Sequence, residues 1–338
     1  MITVAINGFG RIGRRVFRLL QDHKNIKVVA INDLSDTKTL SHLLKYDSIH
    51  GIFNGNISFD INHIIVNNNK VPLLKSNHPN EINWKPYNVD FVIESSGKFK
   101  STIELQHHIK NGAKQVILSV PPIEDDIKTI VIGVNSDTID GNETIISNAS
   151  CTTNNAAPMI DIINKLCGIN QAYITTVHSY TSDQSLHDQP HRDLRRSRAA
   201  SQSIVPTTTG AAKALTKIFP ELSDVIGGCG IRVPVINGSL TDITFNVKKT
   251  VSIDEINNAF KKASIEQYRG ILEYTEDPIV SIDIVGNKHS CIFDSQMTSV
   301  IGNMVKIIGW YDNETGYSQR IIDLLCNLSE KKCVLSIK

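Results

Sequence analysis

Residues 2–14, ITVAINGFGRIGR, decide how the rest of the chain is read. Ile2–Ile6 is a mostly apolar run with the character of a buried strand. It leads into Gly8-Phe9-Gly10-Arg11-Ile12-Gly13, a G-x-G-x-x-G string, and the pattern is helical from Arg11 to about Gln21. A second strand, Lys27–Ile31, ends at Asn32-Asp33, and Asp33 stands 20 residues after Gly13. Strand, glycine loop, helix, strand and acid at this spacing form the dinucleotide-binding fingerprint. One glycine makes the tight turn, one lets the backbone approach a pyrophosphate, and one lets helix pack on strand. The helix N-terminus offers free N–H groups to the phosphates. Asp33 accepts from the adenosine ribose hydroxyls and repels a 2′-phosphate, which favours NAD over NADP. The alternative is a tight structural turn with a capping Asp. The agreement of all five parts favours the cofactor.

Strand and helix keep alternating beyond this unit. Thr37–Tyr46 reads as a helix, followed by short hairpin-like strands, with Asn67–Asn69 at a hairpin tip. Then come Phe91–Ser95 (strand), Thr102–Asn111 (helix), Val116–Leu118 (strand), and strands near Val131–Val134 and Thr144–Ser147. Such alternation predicts a parallel sheet with crossover helices. The second half differs. A helix runs from Cys151 to about Cys167, Tyr173–His178 is a strand, 179–206 is long and polar, and Thr209–Phe219 is a helix. Ile231–Val235, Leu240–Val247 and Val305–Tyr311 are further strands, with one helix between them opened by the Ser252/Glu255 capping box. A last amphipathic helix covers about Gly316–Leu328. The fold class is α/β: a Rossmann-type dinucleotide-binding domain plus an α+β domain with a mainly antiparallel sheet.

The 338 residues suit two domains of ordinary size. Lys+Arg number 35 and Asp+Glu 34, a net charge of +1, so bulk electrostatics points to neither nucleic acid nor a membrane surface as partner. No apolar run approaches the roughly 18 residues of a membrane span. Six cysteines (Cys151, Cys167, Cys229, Cys291, Cys326, Cys333) form no C-x-x-C pair, so neither a metal site nor a thioredoxin-like motif is signalled. Met1 runs straight into a strand without a basic leader, and the expectation is reduced thiols in a cytoplasm.

Ser150-Cys151-Thr152-Thr153-Asn154 follows a strand and opens a helix, where the macrodipole favours a thiolate. His178 ends a strand 27 residues later and can move protons if the two ends meet. Position alone leaves the bland alternatives open: a small buried hydrophobe for the cysteine, a hydrogen-bonded structural residue for the histidine. His191–Arg198 is the densest basic cluster. Acids interrupt it and no aromatics interleave, so a solvated or subunit-facing loop with an Arg or two turned to a phosphate suits it better than nucleic acid. Thr209-Gly210, opening a helix, and Arg232, on a strand, are further anion-binding candidates.

Together these residues resemble the phosphorylating glyceraldehyde-3-phosphate dehydrogenases (type I) over almost the whole chain. The resemblance is carried in order and spacing by NGFGRIGR (7–14), KYDSIHG (45–51), SNASCTTN (147–154), HSYTSDQ (178–184), DLRRSRAA (193–200), PTTTGAAKAL (206–215), RVPV (232–235) and WYDNETGYS (310–318). It implies that Cys151 attacks the aldehyde of glyceraldehyde 3-phosphate with His178 as acid–base. Hydride passes from the thiohemiacetal to NAD, and inorganic phosphate cleaves the resulting thioester to give 1,3-bisphosphoglycerate. A thioester retains the oxidation energy that a free acid would dissipate. The resemblance assigns Thr181, Arg195 and Arg232 to the substrate's C3 phosphate, and Ser150, Thr152, Thr209 and Gly210 to the attacking phosphate. It assigns the Gly8, Gly10, Arg11, Ile12 and Gly13 loop to the pyrophosphate, and Asp33 to the ribose. Ser119, Asn313 and Tyr317 fall to the nicotinamide side.

It further implies a cofactor domain of residues 1–150 joined by the C-terminal segment, about 315–338, and a catalytic and oligomerisation domain of 151–314. A homotetramer is expected, with 179–201 near a subunit interface and a neighbour's cofactor. The sister activity, erythrose-4-phosphate dehydrogenase, is the alternative; Tyr180-Thr181 and Thr208-Thr209-Gly210 follow the glyceraldehyde pattern instead. The chain departs from the family pattern at four places. Asn155 replaces the second cysteine of CTTNC, and Ile52 replaces the arginine of HGRF. Asn77-His78-Pro79 replaces an Arg before Asp-Pro that touches adenine, which predicts weaker adenine binding. Gln189-Pro190 replaces Leu-Pro; Pro190 and Asp33 still favour NAD.

Overall fold

The computed structural model describes residues 1–335, with side chains through Lys331. Residues 336–338 of the expected C-terminal segment, and the Cys333 side chain, lie outside the described residues. The chain divides into two compact units. The first holds Met1–Ile130, Ser136–Ala149 and the chain from Ser318 on; the second holds Val131–Asn135 and Ser150–Tyr317.

The first unit begins with β1 (Ile2–Asn7), α1 (Arg11–Leu20), β2 (Ile26–Asn32) and α2 (Thr37–Lys45). A ribbon of β3 (Tyr46–Asp47) and β4 (Gly51–Ile52) follows, then a meander of β5 (Ile57–Phe59), β6 (His63–Val66) and β7 (Asn69–Leu74). The remaining elements are β8 (Phe91–Glu94), α3 (Thr102–Lys110), β9 (Gln115–Leu118), β10 (Lys128–Thr129) and β11 (Ile145–Ser147). The sheet runs β10-β11-β9-β8-β1-β2-β7-β6-β5 and is parallel from β10 to β7. β1 feeds β2 on one side and pairs with β8 on the other, so the strand order reverses there. The loops beyond the C-terminal ends of those strands flank the crevice that doubly wound sheets use for ligands. Val4, Ala5 and Ile6 are fully buried, as a strand covered on both faces requires.

One expected strand is absent. Val131–Val134 forms turns, with Val134 N and Asn135 N donating to Val131 O, and the nearby strand is Lys128–Thr129 instead. The apolar run misled: within it Gly133 takes φ +86°, against the side chains of Ile271 and Tyr268, a left-handed conformation that an extended strand does not use.

The second unit comprises α4 (Cys151–Cys167), β12 (Ile169–Ser179), β13 (Val205–Thr207), α5 (Ala211–Ile218), β14 (Ile226–Val233) and β15 (Ser239–Val247). It continues with α6 (Ile253–Ile265), β16 (Leu272–Thr275), β17 (Cys291–Asp294), β18 (Ser299–Ile301) and β19 (Met304–Tyr311), and α7 (Thr315–Leu335) starts within it. The sheet order is β13-β14-β12-β15-β19-β17-β16. β12 with β14 and β16 with β17 are parallel, and the other pairs antiparallel. The capping box at Ser252 and Glu255 opens α6 as read. Strands β16 to β18 and the extension of α7 past Leu328 carry no signal noted in the sequence. Helix α4 packs on β15, β17 and β19. At Gly309 the approach is so close that a Cβ would sit 2.7 Å from both Cys291 Sγ and Met159 Sδ.

Candidate active site

The glycine loop is shaped by backbone proximity. Gly8 has φ +91°, and a Cβ there would lie 2.5 Å from the backbone of Ser96. At Gly13 a Cβ would meet Gly8 O at 2.2 Å, so α1 could not start where it does. At Gly10 a Cβ would point into open space, and α1 begins there without a side-chain cap. A helix start without a side-chain cap is a general anion-binding feature. The Arg11 side chain turns away into a paired contact with Asp47 (2.8 and 3.1 Å). Asp33 Oδ2 accepts from Phe9 N at 2.8 Å and Oδ1 from Ser35 N at 3.0 Å, which fixes the carboxylate against the loop.

Gly8, Gly10 and Asp33 line one cavity of about 260 Å³ with Asn32, Ser96 and Phe99. Its floor is polar and locked: Glu94 accepts from Asn7 Nδ2 and from Ser96 N, and Asn7 Oδ1 accepts from Asn32 Nδ2 at 2.7 Å. These residues fit a dinucleotide: an uncapped helix N-terminus, a glycine face without steric cover and a held carboxylate. His78, in place of the family's adenine-touching arginine region, caps a 3₁₀ turn and stacks edge-on to Phe99. Ser119 is buried in the same unit, its N–H on Glu94 O at 3.0 Å.

The second unit holds the candidate nucleophile. Ser150 caps α4, its Oγ accepting from Thr153 N at 3.1 Å, and Cys151 is the first helical residue. Before the cap, buried Ala149 sits at φ +56°, a conformation that costs an L residue about 1–3 kcal/mol and is found where a site over-determines the backbone. Cys151 Sγ lies 3.4 Å from His178 Nε2. β12 and β14 run parallel with His178 opposite Arg232, so these side chains share a face. Arg232 Nη1 reaches His178 Nδ1 (2.8 Å), Ser179 O (2.9 Å) and Thr181 Oγ1 (3.4 Å).

Burial pushes the Cys151 thiol above its ordinary range, and the Arg232 charge only partly offsets this. Backbone N–H groups of Thr152 and Cys151 at the helix start act in the same direction as Arg232. Burial, then the Arg232 charge, push His178 down to about 3.

Tyr311 braces the centre. Its buried hydroxyl bonds at 2.9 Å to Thr152 Oγ1 on α4 and at 2.9 Å to Thr176 Oγ1 on β12. The sequence marks Tyr311 as a strand end within WYDNETGYS, and nothing local assigns it this bridging role. Asn155 is fully buried and donates from Nδ2 to Ser290 O (3.3 Å) and Trp310 O (3.2 Å), tying α4 to the sheet. Asn313 Oδ1 accepts from Ser179 Oγ (2.9 Å) and Ser239 Oγ (3.0 Å), which leaves the NH2 group as the amide's donor. Tyr317 is buried at the start of α7.

The remaining anion candidates are less closely joined. Thr209 Oγ1 accepts from Ala211 N at 3.2 Å, and Gly210 opens α5 with open space where a Cβ would be. Arg195 is exposed, and its guanidinium has no hydrogen bond or ion pair among the described residues. Its neighbour Arg196 is anchored to Asp183 at 2.8 Å and to Thr207 at 3.0 Å. The described residues contain no cluster suited to a metal ion, and no helix long and apolar enough to cross a membrane.

Comparison with known proteins agrees with both halves. The family model for the glyceraldehyde 3-phosphate dehydrogenase NAD-binding domain matches residues 2–102, and that for the C-terminal domain matches 150–313. Glyceraldehyde-3-phosphate dehydrogenase 1 of Bacillus cereus is 46% identical over 333 residues, 98% of this chain and 99% of the relative. Glyceraldehyde-3-phosphate dehydrogenase 2 of Streptomyces avermitilis is 50% identical over 326 residues (96% and 97%). The Thermotoga maritima glyceraldehyde-3-phosphate dehydrogenase is 49% identical over 328 residues (96% and 98%).

Proposed function

The chain belongs to the glyceraldehyde-3-phosphate dehydrogenase family, and we propose that it oxidises D-glyceraldehyde 3-phosphate reversibly to 1,3-bisphosphoglycerate through a thioester on Cys151. The observation that carries the chemistry is the 3.4 Å contact of Cys151 Sγ with His178 Nε2 beside Arg232.

Cys151 passes its proton to His178 and attacks the aldehyde carbon. His178 returns the proton to the alkoxide, forming the thiohemiacetal, and takes it back as the carbonyl re-forms and hydride departs. When bound, NAD⁺ supplies the hydride acceptor. Inorganic phosphate then attacks the acyl carbon, the C–S bond breaks, and Cys151 leaves as thiolate. Thr181, Arg195 and Arg232 hold the substrate's C3 phosphate; a guanidinium suits it because its fork donates parallel hydrogen bonds. Ser150, Thr152, Thr209 and Gly210 receive the attacking phosphate near two helix N-termini. Gly8, Gly10, Arg11, Ile12 and Gly13 hold the cofactor's pyrophosphate, and Asp33 its ribose. Asn313 holds the carboxamide through its NH2 group, with Ser119 and Tyr317 on the nicotinamide side.

In this reading residues 1–150 and about 315–338 serve the cofactor, and 151–314 serve catalysis and assembly. The reading includes a cytoplasmic location and a homotetramer; for the assembly, the outward face of β12, where Tyr173 is 54% exposed on a strand whose other face is buried, is a surface that a second subunit would cover. The test is NADH absorbance with glyceraldehyde 3-phosphate, with and without phosphate. Phosphate-dependent NADH formation, lost in Cys151→Ser, is expected. Undiminished turnover in that variant would refute the assignment.

A further inference from the structure

Asn313 is held in two separate ways. Its backbone is fixed through Asp312, whose wholly buried carboxylate accepts at Oδ1 from Asn237 Nδ2, Glu314 N and Thr315 N (each 2.9 Å) and at Oδ2 from Gly286 N (2.7 Å). What remains open is rotation of the Asn313 amide, which is nearly symmetric in shape but not in chemistry, since one end accepts and the other donates. Two hydroxyls decide it. Ser179 ends β12 and Ser239 opens β15, strands that pair antiparallel. Ser239 Oγ accepts from Ser179 N at 3.1 Å, so its proton is left to donate, and Asn313 Oδ1 receives it at 3.0 Å. Ser179 Oγ donates to the same oxygen at 2.9 Å. Both serines are buried, and neither hydroxyl proton has another acceptor among the described residues. A reversed amide would turn N–H groups onto both hydroxyls and strand two buried donors, which is costly. The described residues give the Asn313 NH2 group no acceptor of their own.

Building on the place proposed above for Asn313 at the nicotinamide carboxamide, we infer that Ser179 and Ser239 are positioning residues that lock the Asn313 amide as a pure donor, so that the site reads the cofactor's carboxamide by its oxygen and is blind to its nitrogen. An amide free to turn would match a carboxamide in either sense, C=O to N–H or N–H to O=C. With the donor end fixed, one sense remains. The two serines act through Asn313 and touch neither cofactor nor substrate in this account.

The test is the dissociation constant, by calorimetric titration of the full-length protein, of NAD and two of its analogues. In the 3-acetylpyridine analogue the carboxamide NH2 becomes CH3 and the oxygen stays. In the thionicotinamide analogue the NH2 stays and the oxygen becomes sulfur, a weak acceptor. A locked donor binds the acetyl analogue better than the thio analogue. In Ser179→Ala/Ser239→Ala the amide can turn and offer Oδ1 to the thioamide N–H. The ratio of the thio to the acetyl dissociation constant should then fall about fivefold, the worth of one hydrogen bond. A merely structural pair of serines would weaken all three ligands alike and leave that ratio unmoved. Ser239→Ala alone, with the Ser179 hydroxyl still in place, should lower the ratio by less, and it decides where the double variant does not fold. An unchanged ratio in the folded variants, or a wild type that favours the thio analogue, overturns the inference. NADH formation from glyceraldehyde 3-phosphate is measured on the same wild-type preparation: normal turnover with an unchanged ratio removes only this inference, whereas absent turnover removes the dehydrogenase reading on which it rests.

Discussion

Trp84 donates its indole N–H to His108 Nδ1 at 3.0 Å. An indole nitrogen only donates, so a neutral His108 carries its proton on Nε2, directed at Glu94 Oε2 3.1 Å away. His108 and Glu94 have wholly buried side chains, and Glu94 in turn holds Asn7 and Ser96 at the floor of the nucleotide cavity. A hydrogen-bonded chain thus links a core tryptophan to the cofactor site. Glu94→Ala strands several buried donors, and we expect it to cost about 3 kcal/mol of stability. Thermal unfolding with and without NAD reads this, together with a rise in KM for NAD. An unchanged Tm would mean that water or a rearrangement replaces the carboxylate.

Asp33 is the second test. Its carboxylate is oriented by Phe9 N and Ser35 N, and in the role proposed for it above it is a fixed charge toward the ribose. Asp33→Ala should raise the NADP-to-NAD ratio of kcat/KM by about tenfold or more, from a lost charged hydrogen bond and lost repulsion. Equal use of both cofactors by the wild type would contradict this role.

Tyr311→Phe removes the hydroxyl shared by Thr152 and Thr176 and leaves both threonines without that partner in a buried place. A loss of about 1–3 kcal/mol is expected in urea unfolding. Because the bridge ties the helix of Cys151 to the strand of His178, kcat should fall more than KM rises. A variant with wild-type kcat would show that the two elements hold their spacing without it.

The pH dependence follows from His178. Its folded value, about 3, lies below the ordinary 6.5 because burial and Arg232 disfavour the charged ring. The unfolded chain then binds more protons between these values. This contribution to stability is complete above about pH 6.5 and is lost as pH falls toward 3. Urea midpoints from pH 7 to 4 should decline less steeply in His178→Asn than in wild type.

Gly309→Ala tests the packing of α4 on its sheet. The added methyl would sit 2.7 Å from two sulfur atoms, one of them on a flexible methionine. Overpacking of this kind costs about 1–3 kcal/mol, read as a lowered Tm with the fold retained.

Local signals were the readable ones. The Gly8–Gly13 loop, the Ser252 capping box and Cys151 at a helix start each depend on neighbours close in the chain, and each stands where the residues put it. The Val131–Val134 run shows the limit, since one glycine's backbone angle outweighs apolar composition. Arg232 beside His178 depends on parallel pairing of β12 and β14 across 54 residues, which no local pattern encodes. The Trp84–His108–Glu94 chain was invisible for the same reason: its members become neighbours only when β8 and α3 are in place.

Asn155 shapes what happens to this thiol under oxidative stress. One turn along α4 from Cys151, where the resemblance noted above leads one to expect a second sulfur, this chain has a buried amide holding Ser290 and Trp310. A sulfenic acid on Cys151 consequently finds no resolving thiol at that position. A diffusing thiol such as glutathione can supply the missing sulfur; where none reduces the sulfenic acid, peroxide drives it on to the irreversible sulfinic state.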